Sequence, residues 1–126
     1  MRAPSAGRIA KTLERIGAMS REEFTAALEA GWRAQGYEVS RTKSAQADLE
    51  LRRAGRLSLV GCRRWKAAST GVEPLRELHA AGQAREAQEL IYVAAGGITE
   101  QARAFAEANA IRLVQGAELA ALVRRG

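Results

Sequence analysis

The chain has 126 residues, 47% of them hydrophobic, which suits one domain whose core needs no disulfide. One cysteine, Cys62, and one histidine, His79, exclude an internal disulfide, a cysteine zinc cluster and a two-histidine relay, so any metal would need oxygen ligands, as magnesium, calcium and manganese accept. Twenty basic residues, 17 of them arginine, against 14 carboxylates leave a net charge of +6, which suits a polyanionic partner or, more plainly, a solvated basic surface.

Residues 1–6 read as a flexible start. Ile9, Leu13 and Ile16 lie at helical spacing between Arg8 and Ile16, and Gly17 stops that helix. Ser20-Arg21-Glu22-Glu23 is a capping box, followed by Phe24, Ala27, Leu28, Gly31 and Trp32 on one helical face. Gly36 ends this helix, and Tyr37–Ser40 alternates as a strand. A polar loop over 41–46 leads to strands at 47–53 and 57–64, joined by a turn at Ala54-Gly55. The run Leu57 to Cys62 is apolar enough for a central strand covered on both faces.

After a loop at 66–70, a helix opens at Thr70 or Gly71 with Pro74 in its first turn and Leu75 and Leu78 inward. Leu90–Ala94 reads as a buried strand and Ala95-Gly96-Gly97 as a turn. Thr99 caps a helix carrying Ala102, Phe105, Ala106 and Asn109 on one side. Ile111–Val114 is a last strand, and a short helix runs from Gly116 to Val123. The order α-β-β-β-α-β-α-β-α predicts an α/β fold with a mixed five-stranded sheet flanked by helices. The first three strands form an antiparallel meander, and the later strand–helix–strand unit is parallel. Residues 1–18 form a partly helical N-terminal extension and 19–126 the domain. No apolar run reaches a membrane span, and the N-terminus lacks the apolar core of a secretory signal, so a cytoplasmic location is expected. The chain can equally be a piece of a longer protein.

Asp48 is the only aspartate. In a strand, Asp48, Glu50 and Arg52 share one face, and Ala47, Leu49 and Leu51 the other. Two carboxylates two residues apart can point at one cation, making Asp48 and Glu50 candidate metal ligands; a solvated strand face is the plain alternative. On the neighbouring strand Gly61 and Arg63 share a face. Arg41, Lys43, Arg63, Arg64, Trp65 and Lys66 interleave charge with an aromatic ring, a composition that grips a phosphate backbone. Trp65 can as well be a structural residue covering a strand end. His79 reads as a surface or packing residue, Cys62 as a core residue, and Gly96-Gly97 lacks the lysine and spacing of a phosphate loop.

Taken in order, these pieces resemble the Mrr-type restriction endonucleases, a branch of the PD-(D/E)xK nuclease superfamily. The likeness is carried by Phe24, Gly36-Tyr37-Glu38-Val39, Ala47-Asp48-Leu49-Glu50-Leu51 and Leu59-Val60-Gly61-Cys62-Arg63-Arg64-Trp65. It continues through Arg76-Glu77-Leu78, Thr99 to Ala106, and Ile111-Arg112-Leu113-Val114-Gln115-Gly116 up to Leu119. The resemblance implies a restriction-endonuclease-like core and magnesium-dependent cleavage of DNA. It matches Asp48 to the metal-binding aspartate. Gly61 then stands in place of a glutamine, Arg63 in place of the catalytic lysine, and Thr25 in place of a glutamate. Arginine stays protonated and cannot act as a base, though it can hold phosphate. Three readings follow. One is a domain that binds DNA, duplex DNA foremost, with lost or weak catalysis. The second is a Mg2+-dependent endonuclease with a rearranged centre of Asp48, Glu50 and Arg63. The third is a pseudo-nuclease kept as a protein-interaction module, for example a homodimer closed over the cleft.

Overall fold

The structure is a computed structural model and describes residues 5–44 and 46–125. Residues 1–4 of the expected flexible start lie outside it. The chain forms α1 (Ala6–Gly17), α2 (Arg21–Ala34), β1 (Glu38–Arg41), β2 (Leu49–Arg53), β3 (Arg56–Gly61), β4 (Ser69–Thr70) and α3 (Glu73–Arg85). It goes on through β5 (Glu89–Val93), β6 (Gly97–Ile98), α4 (Glu100–Ala108), β7 (Ile111–Val114) and α5 (Gly116–Arg125).

The main sheet has five strands in the order β1-β2-β3-β5-β7. β1, β2 and β3 pair antiparallel, while β3, β5 and β7 pair parallel, which is the expected mixed sheet. The β2–β3 hairpin turns on Ala54 and Gly55, both at positive φ (53° and 75°). A two-residue turn of that hand matches the twist of the flanking strands, and glycine adopts it at no steric cost.

Helices cover both faces. On one, Leu49, Leu51, Val60, Cys62, Ile91, Val93 and Val114 meet Ile16 of α1, Phe24, Leu28 and Trp32 of α2, and Leu119 and Leu122 of α5. On the other, Leu57, Leu59, Leu90, Tyr92 and Ile111 meet Leu75 and Leu78 of α3 and Ala102 and Ala106 of α4. Each fully buried valine, leucine, isoleucine or phenylalanine among them stabilises the fold by roughly 1.5–3 kcal/mol before entropy is counted. Gly31 lets α2 and α5 approach closely, since a Cβ there would sit 2.3 Å from the Leu122 carbonyl oxygen. The expected N-terminal extension carries α1, whose Ile16 is fully buried in the first core.

The capping box at Ser20 forms: Glu23 N–H donates to Ser20 Oγ at 3.0 Å, and Ser20 N–H donates to Glu23 Oε1 at 2.8 Å. Three details differ from the sequence reading. First, β3 stops at Gly61, and residues 63–66 turn away, with Trp65 N–H donating to the Cys62 carbonyl at 3.1 Å. Second, the loop at 66–70 and the turn at 95–97 contribute a small parallel pair, Ser69 with Gly97 and Thr70 with Ile98. Two-residue strands are too short to show a period. Third, α3 starts at Glu73, and its N-cap, Val72, makes no side-chain cap bond. Thr70 is taken up by the small sheet instead.

Candidate functional site

Asp48 lies just before β2, at the end of the sheet where β3 also finishes. Its backbone N–H donates to the Val60 carbonyl at 2.7 Å. Its carboxylate is engaged on both oxygens: Oδ1 accepts from Arg21 Nη2 at 2.8 Å, and Oδ2 accepts from the buried Cys62 N–H at 2.8 Å. Arg21, the first residue of α2, also donates through Nη1 to the Arg63 carbonyl oxygen at 3.3 Å. One guanidinium therefore ties the start of α2 to the start of β2 and the end of β3. An open cleft of about 460 Å3 surrounds this point, lined among others by Arg21, Glu22, Thr25, Arg41, Asp48 and Arg63.

The other carboxylates of α2 near this cleft are paired as well. Arg41 of β1 donates to Glu22 Oε2 at 2.6 Å and to Glu29 Oε1 at 2.8 Å. The Arg41 hydrogen bond holds the Glu22 carboxyl below its usual range, and Glu22 and then Glu29 push the Arg41 guanidinium above its own. Glu22 and Glu29 are seven residues apart, two helical turns, so one arginine can reach both. Thr25 lies between them, and its hydroxyl donates back to the Arg21 carbonyl at 2.8 Å.

Glu50 lines a different neighbourhood. Its Oε1 accepts from Arg85 of α3 at 2.6 Å and from Arg52 at 3.4 Å, and the Arg85 bond chiefly holds its carboxyl below the ordinary range. It is not among the residues lining the cleft around Asp48. The expected alternation fails at the same point. Ala47 packs in the α3–α4 core while Leu49 and Leu51 pack in the α2–α5 core, because the strand, and with it the period of two, begins only at Leu49.

Gly61 and Arg63 do not share a face either. A Cβ on Gly61 would point at Tyr92 Cδ1 (3.2 Å) and at Leu78 Cδ2 (3.4 Å), into the α3 side. Arg63 comes after the strand has ended and lines the cleft. Tyr92 is buried, which raises its phenol pKa, and its hydroxyl accepts from the Arg64 N–H at 3.3 Å.

Among the expected nucleic-acid contacts, Lys43, Arg63, Arg64 and Lys66 are exposed, and among the described residues none has a carboxylate within ion-pair distance. Arg41 is exposed but held by Glu22 and Glu29. Of the two readings of Trp65, a strand-end cover and a base-stacking ring, its burial fits the first. It is 3% exposed and stacks on Phe24, with ring centroids 4.0 Å apart and planes at 14°. Lys66 Nζ sits 5.1 Å from the Trp65 ring centroid. Cys62 is a buried thiol whose pKa is pushed up by burial first and by Asp48 second. His79 packs edge-on against Phe105. Sequence reasoning missed Arg21 as the partner of Asp48 and the Glu22–Arg41–Glu29 bridge. The seven-residue spacing of the two glutamates was the available signal.

A divalent ion in such a cleft needs several oxygen ligands converging on one point. Among the described residues, no group of three or more His, Cys, Asp or Glu side chains comes together. Asp48 accepts a hydrogen bond on each oxygen, Gly61 offers no side chain, and Glu22, Glu29 and Glu50 are each bound by arginine. The residues present do not fit a divalent metal centre.

The antiparallel hairpin and the βαβ unit share one mixed sheet, with the Asp48 cleft at its strand ends. A family model for restriction endonucleases, the Mrr-type catalytic domain, matches residues 16–123, and the chain belongs to that family. Among solved structures, the MspJI restriction endonuclease in complex with a 27-mer oligonucleotide is similar at a TM-score of 0.65 and 20% identity, over 97% of this chain and 32% of that one. A protein of unknown function, AF1548, is similar at a TM-score of 0.55 and 15% identity, over 71% of this chain and 57% of that one. The chain thus spans about a third and somewhat over half of those two chains. No curated protein matches it. Among the described residues, no helix is long and apolar enough to cross a membrane.

Proposed function

We propose that this chain is a DNA-binding, restriction-endonuclease-like domain whose hydrolytic catalysis is lost or weak. The observation that carries this reading is the engagement of both Asp48 oxygens, by Arg21 and by the Cys62 N–H, with no cluster of three ligating side chains among the described residues and with Glu22, the other carboxylate of the cleft, bound by Arg41. Phosphodiester hydrolysis needs a group that activates water and a cation that takes up charge on the phosphoryl oxygens. Arg63 cannot accept a proton, and the Thr25 hydroxyl is turned back on its own helix. Neither supplies the first need.

Binding has different requirements, and the basic residues at the cleft support it. Arg21, Arg41 and Arg63 line the cleft, Lys43, Arg64 and Lys66 are exposed and adjacent in sequence to lining residues or to Trp65, and guanidinium groups take phosphate in forked contacts. Family membership and the oligonucleotide bound to MspJI support DNA as the polyanion. Anisotropy on labelled duplex DNA, over a range of salt concentrations, tests the reading. Affinity should fall log-linearly with salt, and incubation with Mg2+ or Mn2+ should leave the strands intact. Absence of salt-dependent affinity sinks the DNA-binding half. Cleavage that Asp48→Asn abolishes sinks the other half, and would favour an active centre built on Asp48, Glu50 and Arg63.

A further inference from the structure

We infer that Arg21 has taken the place of the divalent cation in this cleft, so that a phosphodiester is held by guanidinium groups and binds without a metal ion. The inference rests on the DNA-binding reading above and specifies how that site holds its ligand.

Arg21 sits against Asp48, on a side of the carboxylate that a bound cation could use. Its Nη2 is 2.8 Å from Asp48 Oδ1, and its Nη1 is 3.3 Å from the Arg63 carbonyl oxygen. A side-chain carboxylate and a backbone carbonyl are oxygen ligands a hard cation would use, and here both accept from one guanidinium. The other Asp48 oxygen is closed by the Cys62 N–H. The group is anchored on a rigid element, as residue one of a helix whose capping box is complete.

A guanidinium has five N–H donors, and these two bonds leave others for a further acceptor. The Arg21 side chain is 56% exposed, so its outer edge faces the cleft and not the core. Arg63 lines the same cleft with no carboxylate partner among the described residues, which supplies a second donor fork. Arg41 has a different part. By binding Glu22 and Glu29 it offsets one of the two negative charges that would otherwise repel a phosphate at the α2 side, and Arg33, 3.7 Å from Glu29, offsets the other. A centre that recruits divalent ions keeps carboxylates unpaired toward its cleft. This one pairs each of the three nearest it with arginine.

Two measurements test this. In the first, the protein alone is titrated with Mn2+ and the free ion followed by electron paramagnetic resonance. No saturable binding in the millimolar range is expected; saturable binding that Asp48→Asn removes overturns the inference. In the second, duplex DNA affinity is compared in EDTA and in Mg2+ at matched ionic strength, for the wild type, Arg21→Ala and Arg21→Lys. The wild type should bind equally in both buffers. Arg21→Ala should lose affinity about 5–10-fold and reduce the salt slope by about one. Arg21→Lys, which keeps the charge, should recover part of that loss. Wild-type binding that needs Mg2+, or an Arg21→Ala protein that remains folded and binds as the wild type does, overturns it. A wild type that binds no DNA in either buffer refutes the DNA-binding reading instead, and the Mn2+ titration then decides the cation question alone.

Discussion

Replacing Asp48 with alanine should damage the fold as well as the site. The Cys62 backbone is buried, and its N–H donates to Asp48 Oδ2 at 2.8 Å. Removing the acceptor leaves a buried donor unsatisfied, which costs about 1–3 kcal/mol. Loss of the Arg21 pair adds about 0–1 kcal/mol, because the arginine side is 56% exposed and screened by solvent. The cleft can admit water to the freed N–H, so a total of about 2 kcal/mol is expected for Asp48→Ala. Asp48→Asn keeps an oxygen for the Cys62 N–H and gives up only the charge on the Arg21 side. It should cost about 1 kcal/mol or less. Urea unfolding followed by tryptophan fluorescence measures both. The reasoning fails if the two variants are equally stable, because the bond to Cys62 would then contribute nothing. For the same reason Asp48→Asn, and not Asp48→Ala, is the proper control in any cleavage assay.

Gly61→Gln should destabilise the protein by roughly 1–3 kcal/mol, since the new side chain meets Tyr92 Cδ1 at 3.2 Å from its first atom. Combined with Arg63→Lys it should therefore not restore nicking of supercoiled DNA; recovery of metal-dependent nicking would show that the site can still open around residue 61. Trp65→Ala should lose about 3–5 kcal/mol by emptying the space stacked on Phe24, and a stable Trp65→Ala protein with weakened DNA binding would return that ring to the binding surface. Glu50 is held below its ordinary value of 4.5, chiefly by Arg85. Its contribution is present above that value and lost as pH falls through the lower folded-state value. The stability gap between wild type and Glu50→Gln should thus be widest near neutral pH and close in acid; a constant gap from pH 7 to pH 3 would contradict the pairing with Arg85.

Much of the fold was legible because it follows short-range rules. The Ser20 capping box, the apolar run from Leu57 to Cys62 and the Leu90–Ala94 segment each report their own conformation. Their order then decides which strands pair antiparallel and which parallel. The site was less legible because it lies where those rules stop. Alternation says that Asp48 and Glu50 share a face only if both are in the strand, and the strand begins at Leu49. It says the same of Gly61 and Arg63, and β3 ends at Gly61. Trp65, set between arginines and a lysine, looks like a surface ring. It is buried because Phe24, 41 positions earlier in the chain, offers it a parallel face. The Arg21–Asp48 pair spans 27 positions and joins a helix start to a strand start, a contact that no local period encodes.

On the proposed reading, this restriction-endonuclease fold holds DNA without cutting it. One gel tests it most directly. Supercoiled plasmid is incubated with the protein and Mn2+, and each sample is run before and after protease treatment. The account predicts a retarded band that returns to intact supercoiled plasmid once the protein is digested. Open-circular or linear plasmid after digestion, absent with Asp48→Asn, would contradict the loss of catalysis, and an unretarded band would contradict binding.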